Sequence, residues 1–320
     1  MGRWRKTLPL LLSAGLIAWL VGRISVTSLL HAAAALRWQW LLPLTAAMVL
    51  LVYLWDAYCL PVVFAAGHAR MSYGQMLRAR GKSYLLSALN QGLGQAALAW
   101  HVARIENMPL VDALSRSVVL AFHDGFVLAS TALAGALLTD NPRAAHVRPF
   151  CAVLLAALVG GALLVSLAPA GWRRRWQRTR WGAWLDGWTW RRSIQLIVLR
   201  IGYFAILGGY VAAALRICDL KVSPTAALAT IPLVLMASVL PSASGLGTRE
   251  TALCFLVPAG QPEVLLAMGL IWSTGMLVGR LGIGFAWHWS GERGVGAAPQ
   301  SARRGRRVPL GQRHSLRSGG

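Results

Sequence analysis

Trp172-Arg173-Arg174-Arg175-Trp176-Gln177-Arg178-Thr179-Arg180-Trp181, followed by Trp184, Trp188, Trp190, Arg191 and Arg192, decides how this chain is threaded. Seven arginines and six tryptophans fall within residues 171–193. Short loops on the cytoplasmic side of a membrane collect Lys and Arg, and Trp settles at the membrane–water boundary. The stretch reads as an amphipathic helix lying at that boundary, and the rest of the chain must be arranged so that it stays inside.

The surrounding composition fits a membrane. The chain has 320 residues, 56% hydrophobic and 13% charged, with a mean hydropathy of +0.54. Ordinary soluble domains have roughly 45–50% apolar and about 25% charged residues. A soluble enzyme, a fibrous chain and a disordered chain are excluded. The net charge of +22 fits basic loops against an anionic leaflet; no polar domain gathers basics and aromatics for nucleic acid. Cys59, Cys151, Cys218 and Cys254 lie in or beside apolar runs without metal-type spacing and read as small buried hydrophobes. Arg3, Arg5 and Lys6 precede an apolar run from Leu8 to Val21, but the small residues Ala33–Ala35 lie too far beyond it for a cleavage site. An uncleaved first span is expected.

Six stretches are apolar enough to cross a bilayer core, which takes about 20 helical residues: approximately 8–24, 40–66, 117–138, 147–168, 194–216 and 264–289. Two more, roughly 83–106 and 224–258, are partly apolar and carry glycines expected to break a helix. If 83–106 crossed fully, the seven arginines of 171–193 would land outside. If both glycine-bearing segments dip in and return, 23 basic residues fall inside, four of them in a loop over 67–82 and two in 101–116, and six outside, while Arg200, Arg249 and Arg280 stay within the apolar zone. The expected fold is therefore an all-α polytopic membrane protein. It has six spans, two re-entrant Gly-broken hairpins and both termini cytoplasmic, in the plasma (inner) membrane. Residues 1–290 form the membrane domain, and 291–320 a disordered basic tail.

The two hairpins resemble each other. Gly92-Leu93-Gly94 is followed by Pro109, and Gly245-Leu246-Gly247 by Pro262, fifteen residues on in each case. Ser72 and Ser223 stand at similar distances upstream. Halves of about 1–140 and 141–290 each read span, span, hairpin, span. Three spans per half turn the second half upside down, giving an inverted repeat of the kind transporters use.

Charges at membrane depth are functional candidates. The second hairpin reads Pro241-Ser242-Ala243-Ser244-Gly245-Leu246-Gly247-Thr248-Arg249-Glu250. Pro241 stops a helix, and Ser244 or Thr248 is expected to cap the next one. Free amides at that helix start, beside the Arg249 guanidinium, suit an anion. Glu250 either balances Arg249, binds an exchanging proton, or joins Arg249 in a pair that pins the hairpin. Asn90, Gln91, Gly92 and Gly94 occupy the matching place in the first hairpin. Asp56 and Asp124 are expected to pair with Arg200, Arg249 or Arg280 across helices. Gly275 and Gly279 form a small-xxx-small pair, most simply a helix-packing contact.

The Gly-Leu-Gly-Thr-Arg-Glu stretch after Pro241-Ser242 resembles the signature of the lysylphosphatidylglycerol synthase transmembrane family. That family supplies the flippase-like membrane portion of the multiple peptide resistance factor. The resemblance covers about residues 5–290 and rests mainly on Pro241–Glu250. Family members tend to have an Asn–Pro-type break in the first hairpin, and Asn90-Gln91-Gly92-Leu93-Gly94 lacks the proline. The family's full-length synthases add a soluble aminoacyl-transfer domain, so aminoacyl-lipid synthesis is not expected of this chain. The resemblance implies that a lipid or lipid-linked substrate is bound or moved in the membrane. Joined to the anion site read from the residues, it makes the expected ligand an anionic lipid or lipid-linked intermediate, with Ser244, Gly245, Gly247, Thr248, Arg249 and Glu250 at its head group. Asp56, Asp124, Arg200, Asn90, Gln91, Gly92 and Gly94 are cavity candidates of lower rank. Two rival expectations are a non-transporting subunit that presents lipid to a lipid-synthesis enzyme, and a membrane-embedded transferase. No catalytic residue, cofactor, metal or nucleic acid is expected.

Overall fold

A computed structural model describes residues 25–64, 71–138, 142–177, 189–237, 247–257 and 261–292, with isolated positions 15, 22, 179 and 182. Among the described residues the chain is helical without strands. The helices are α1 (Val26–Ala35), α2 (Trp38–Phe64), α3 (Tyr73–Ser87), α4 (Gln91–Glu106), α5 (Leu110–Leu137), α6 (Pro142–Leu167), α7 (Ala170–Gln177), α8 (Trp190–Ile217), α9 (Pro224–Ala237), α10 (Thr248–Leu256) and α11 (Pro262–Glu292). Five stretches, in α2, α5, α6, α8 and α11, are long and apolar enough to cross a membrane. They coincide with five of the six expected spans. The sixth, 8–24, and the tail 293–320 lie outside the described residues.

Burial sorts the spans. The most apolar stretch of α2 is 56% buried and that of α6 only 6%. A helix apolar all round that packs on little must face lipid, so α2 is central and α6 peripheral. α2 and α8 run antiparallel. Arg37, before α2, pairs with Asp219, after α8, at 2.8 Å, while Trp55 late in α2 donates to the Leu199 carbonyl early in α8 at 2.8 Å. One core takes Leu41, Met48 and Val52 from α2 together with Tyr203, Val211, Val234 and Trp272 from later helices. The halves of the sequence therefore interlock.

The two glycine-bearing segments are each a pair of helices. Ser72 accepts from the Gln75 amide, and Gln75 Oε1 accepts from the Ser72 amide at 2.8 Å, a capping box that starts α3. Ser223 accepts from the Ala226 amide at 3.2 Å and starts α9. Each serine thus starts the helix that opens a glycine-bearing segment. Pro109 and Pro262 stand at the starts of α5 and α11, as their spacing indicated.

Three expectations need correction. First, the first glycine-bearing segment opens at Tyr73 rather than near 83, so residues 73–82 of the basic 67–82 segment are helix, not loop. Second, its break is not made by glycine. Asn90 ends the turn with an extended backbone and accepts from the Gly92 and Leu93 amides at 2.8 and 3.4 Å. Gly92 and Gly94 lie in the first turn of α4. Third, 171–193 is not one interfacial helix. α7 ends at Gln177, and Thr189 caps α8 by accepting from the Arg192 amide, so Trp190, Arg191 and Arg192 belong to a span's first turn. Trp172 and Trp176 stack on α7 with centroids 5.4 Å apart.

The Gly275–Gly279 pair is a packing contact. A side chain at Gly275 would run into Thr45 of α2, and one at Gly279 into Val49. Gly279→Val should lower the stability of the detergent-solubilised protein by about 1–3 kcal/mol, the usual cost of overpacking. A melting temperature unchanged by this substitution would show that α2 and α11 are not held at this spacing.

Candidate functional site

The interior of this apolar bundle is charged. Asp56, midway along α2, is 1% exposed. Its Oδ1 lies 2.7 Å from Arg200 Nη1 of α8, and its Oδ2 lies 2.5 Å from Arg80 Nε of α3. Arg200 continues the chain to Asp124 of α5. Its Nη2 donates to Asp124 Oδ2 at 2.9 Å and its Nε to Oδ1, a bidentate fork that lysine cannot make. Tyr203 lies under the Arg200 guanidinium at 4.0 Å. Arg80–Asp56–Arg200–Asp124 therefore joins four helices by charge alone. The Asp124 side chain keeps 25% exposure and is the open end.

The expected pairing of Asp56 and Asp124 with Arg200 is present. Arg80 escaped the sequence reading, which assigned it to a cytoplasmic loop; it is 3% exposed. The signal was there in the capping box at Ser72. After it, Met76, Ala79, Arg80, Ser83, Tyr84 and Ser87 are buried at the three- and four-residue spacing of one helix face. Arg116, also assigned to a loop, is buried and donates to the Phe64 carbonyl at 2.9 Å.

The second cluster stands where α10 begins. Gly247 has φ 86°, a left-handed conformation that glycine takes without strain, and it turns the chain into the helix. Its amide donates to Glu250 Oε2 at 2.7 Å. Glu250 thus reaches back with its carboxylate from the third helical position to the residue before the helix. Thr248 is the first helical residue and is buried. The Ser273 hydroxyl of α11 donates to Glu250 Oε1 and accepts from Arg249 Nη1 at 3.2 Å. Ser273 thereby couples the two charges. The Arg249 guanidinium lies 4.3 Å over the Trp272 ring. Trp272 is 1% exposed, and its indole Nε1 has no hydrogen-bond partner among the described residues. Ser244 and Gly245 lie outside the described residues.

Two turns further along α11, Arg280 meets the first hairpin. Its Nη1 donates to Gln91 Oε1 at 3.3 Å, next to Asn90 at the start of α4. Asp56, Tyr84 and Arg249 all lie within electrostatic reach of Arg280. One face of α11 thus meets the first turns of both α4 and α10. Gly94 lies against Ser87, where the lack of a side chain lets α3 and α4 close together. Gly92, in the same first turn, is exposed.

An apolar groove of about 760 Å³ runs beside the second cluster between α1, α2 and α11. Leu29, Leu42, Val49, Ile271 and Val278 line it. Thr45, also on its wall, hydrogen-bonds with the Tyr210 hydroxyl at 3.0 Å, and the Tyr210 ring packs on Trp272 at 5.6 Å. Thr45, Tyr210 and Trp272 thus link the groove wall to Arg249.

An all-helical chain with an apolar outside and a chain of buried ion pairs within is a multi-pass membrane protein that keeps charge at membrane depth. It belongs to the lysylphosphatidylglycerol synthase TM region family, whose family model matches residues 7–284. No curated protein and no solved structure is significantly similar to it.

Proposed function

We propose that this protein binds an anionic lipid or lipid-linked intermediate and translocates it across the plasma membrane. Arg249, Glu250 and the Gly247–Thr248 turn hold the head group. The observation that carries this reading is the cluster at α10. A guanidinium, a carboxylate and an indole donor without a partner among the described residues are buried together at a helix start, where backbone polarity favours an anion. Glu250 occupies the Gly247 amide, so an incoming phosphate competes with it or takes the Arg249 and Trp272 donors. The neighbouring groove gives acyl chains an apolar place beside a charged head. Family membership supports a lipid as the ligand.

In this reading the two helix pairs are re-entrant, and the halves are inverted copies that rock about the site. The antiparallel course of α2 and α8, which hold equivalent places in the two halves, supports inversion. The tail and the Arg-rich 171–193 segment face the cytoplasm. An Arg178→Cys variant should react with a membrane-impermeant thiol reagent only from the cytoplasm, and Arg143→Cys only from outside. Labelling of residue 178 in intact cells would overturn both the re-entrant arrangement and the inversion.

Reconstituted proteoliposomes with a fluorescent anionic phospholipid test the function. Wild type should move the lipid between leaflets. Arg249→Gln should abolish movement while the protein inserts and stays folded. Arg249→Lys should keep part of it, because a point charge does not match the planar fork on a phosphate. Lipid movement at the wild-type rate by a folded Arg249→Gln protein would remove Arg249 from the site. Tight lipid binding without movement would favour a subunit that presents lipid to a partner enzyme.

A further inference from the structure

We propose a second anion station at the tip of the first hairpin, formed by Arg280, Arg80 and Gln91 around Tyr84 and taking a phosphate group. The proposal rests on the reading of the α10 cluster as a head-group site and gives the translocated anion a second place to stop.

Four observations carry it. The Arg80 and Arg280 guanidinium groups lie 5.0 and 5.7 Å from the Tyr84 ring centroid, so two cations flank one buried ring. Arg80 meets Asp56 with its Nε edge, while its Nη1 is buried and has no hydrogen-bond partner among the described residues. A desolvated guanidinium N–H without an acceptor is costly, and a phosphate oxygen supplies that acceptor. Arg280 is 7% exposed and reaches Gln91 at the start of the 16-residue α4, a second helix N-terminus favourable to an anion. Gln91 is partly exposed and Gly92 exposed, so the tip offers an entrance.

The placement gives the second station its role. Ser273 serves the α10 cluster and Arg280 the first hairpin. They are seven residues apart on α11, which is two helical turns on one face, or about 10 Å along the axis. Each hairpin tip brings its helix start to that face. A head group leaving Arg249 thus meets Arg280 next, with one station supplied by the hairpin of each half.

Native mass spectrometry of the full chain, released from nanodiscs of phosphatidylcholine with phosphatidylglycerol, counts retained anionic lipids. Wild type should hold two, Arg249→Gln one, Arg280→Gln one, and the double variant none. Arg280→Lys should hold the second lipid at reduced occupancy. Excess inorganic phosphate separates the sources of the anion: displacement of that lipid marks a site open to free phosphate, and its retention a site for lipid-borne phosphate. If Arg280→Gln does not fold, Gln91→Ala at the partly exposed tip should lower the occupancy of the same lipid. Two lipids retained by a folded Arg280→Gln protein, or wild-type occupancy in Gln91→Ala, overturns the second station. Loss of both lipids on Arg280→Gln alone also overturns it, since one site would then be shared. If Arg249→Gln keeps both lipids while Arg280→Gln keeps one, the head-group role of Arg249 fails and the second station stands.

Discussion

Replacing Arg200 by methionine should destabilise the detergent-solubilised protein by about 3–5 kcal/mol, because removing one partner of a buried ion pair strands the other charge. Arg200 is the only bridge between Asp56 and Asp124 among the described contacts. Without it Asp56 keeps Arg80, whereas Asp124 loses the bidentate fork. The stranded acid dictates the rescue: Arg200→Met with Asp124→Leu should recover most of the loss, since a matched apolar replacement of a buried pair is often neutral or better. Arg200→Met with Asp56→Leu should not, because that combination leaves both Arg80 and Asp124 unpaired. Thermal unfolding of the three variants decides it. If both double variants recover equally, the ion-pair chain does not hold α5 to α8 in the way described.

The second large effect belongs to Glu250, which is fully buried. It accepts from the Gly247 amide and from the Ser273 hydroxyl. Glu250→Ala removes both acceptors and the anion nearest Arg249, and should cost about 3–5 kcal/mol. Glu250→Gln keeps an oxygen for one donor and loses only the charge, so its cost should be lower, about 1–3 kcal/mol. Combining Arg249→Gln with Glu250→Gln removes the charge from both sides and should melt above Glu250→Ala. These values concern folding alone. Lipid movement by the same variants reports separately on Arg249, because a residue that only pins the hairpin would change the melting temperature without changing transport in the protein that stays folded. Equal melting temperatures for Glu250→Ala and wild type would show that Glu250 does not hold the start of α10.

Much of the fold was legible because the bilayer permits few choices. A chain segment in hydrocarbon must satisfy its own backbone groups, so long apolar runs become helices. Five such runs are helices in the structure. Ser72 and Ser223, with Pro109 and Pro262, marked the repeated element order because caps and helix-start prolines act locally, through the backbone next to them. Arg249 and Glu250 stood out as charges in an apolar setting, and the structure buries both.

Only the tertiary structure decided what the charges do. Arg80 reads in the sequence as one more basic residue of 67–82. It becomes an interior group because α3 extends three turns before Tyr84 and packs against α2, bringing its guanidinium to Asp56. Ser273 and Trp272 carry no signal in sequence, being ordinary residues of an apolar helix, yet they lie between and beneath the charges of α10. Glu250 reaches back to the Gly247 amide because a glycine at φ 86° turns that amide toward the third residue's carboxylate. Composition and spacing determined the membrane helices, the helix starts at Ser72, Ser223, Pro109 and Pro262, and the presence of buried charge. Which arginine meets which acid depends on crossings between helices up to 144 residues apart in sequence, and local sequence carries no record of that separation.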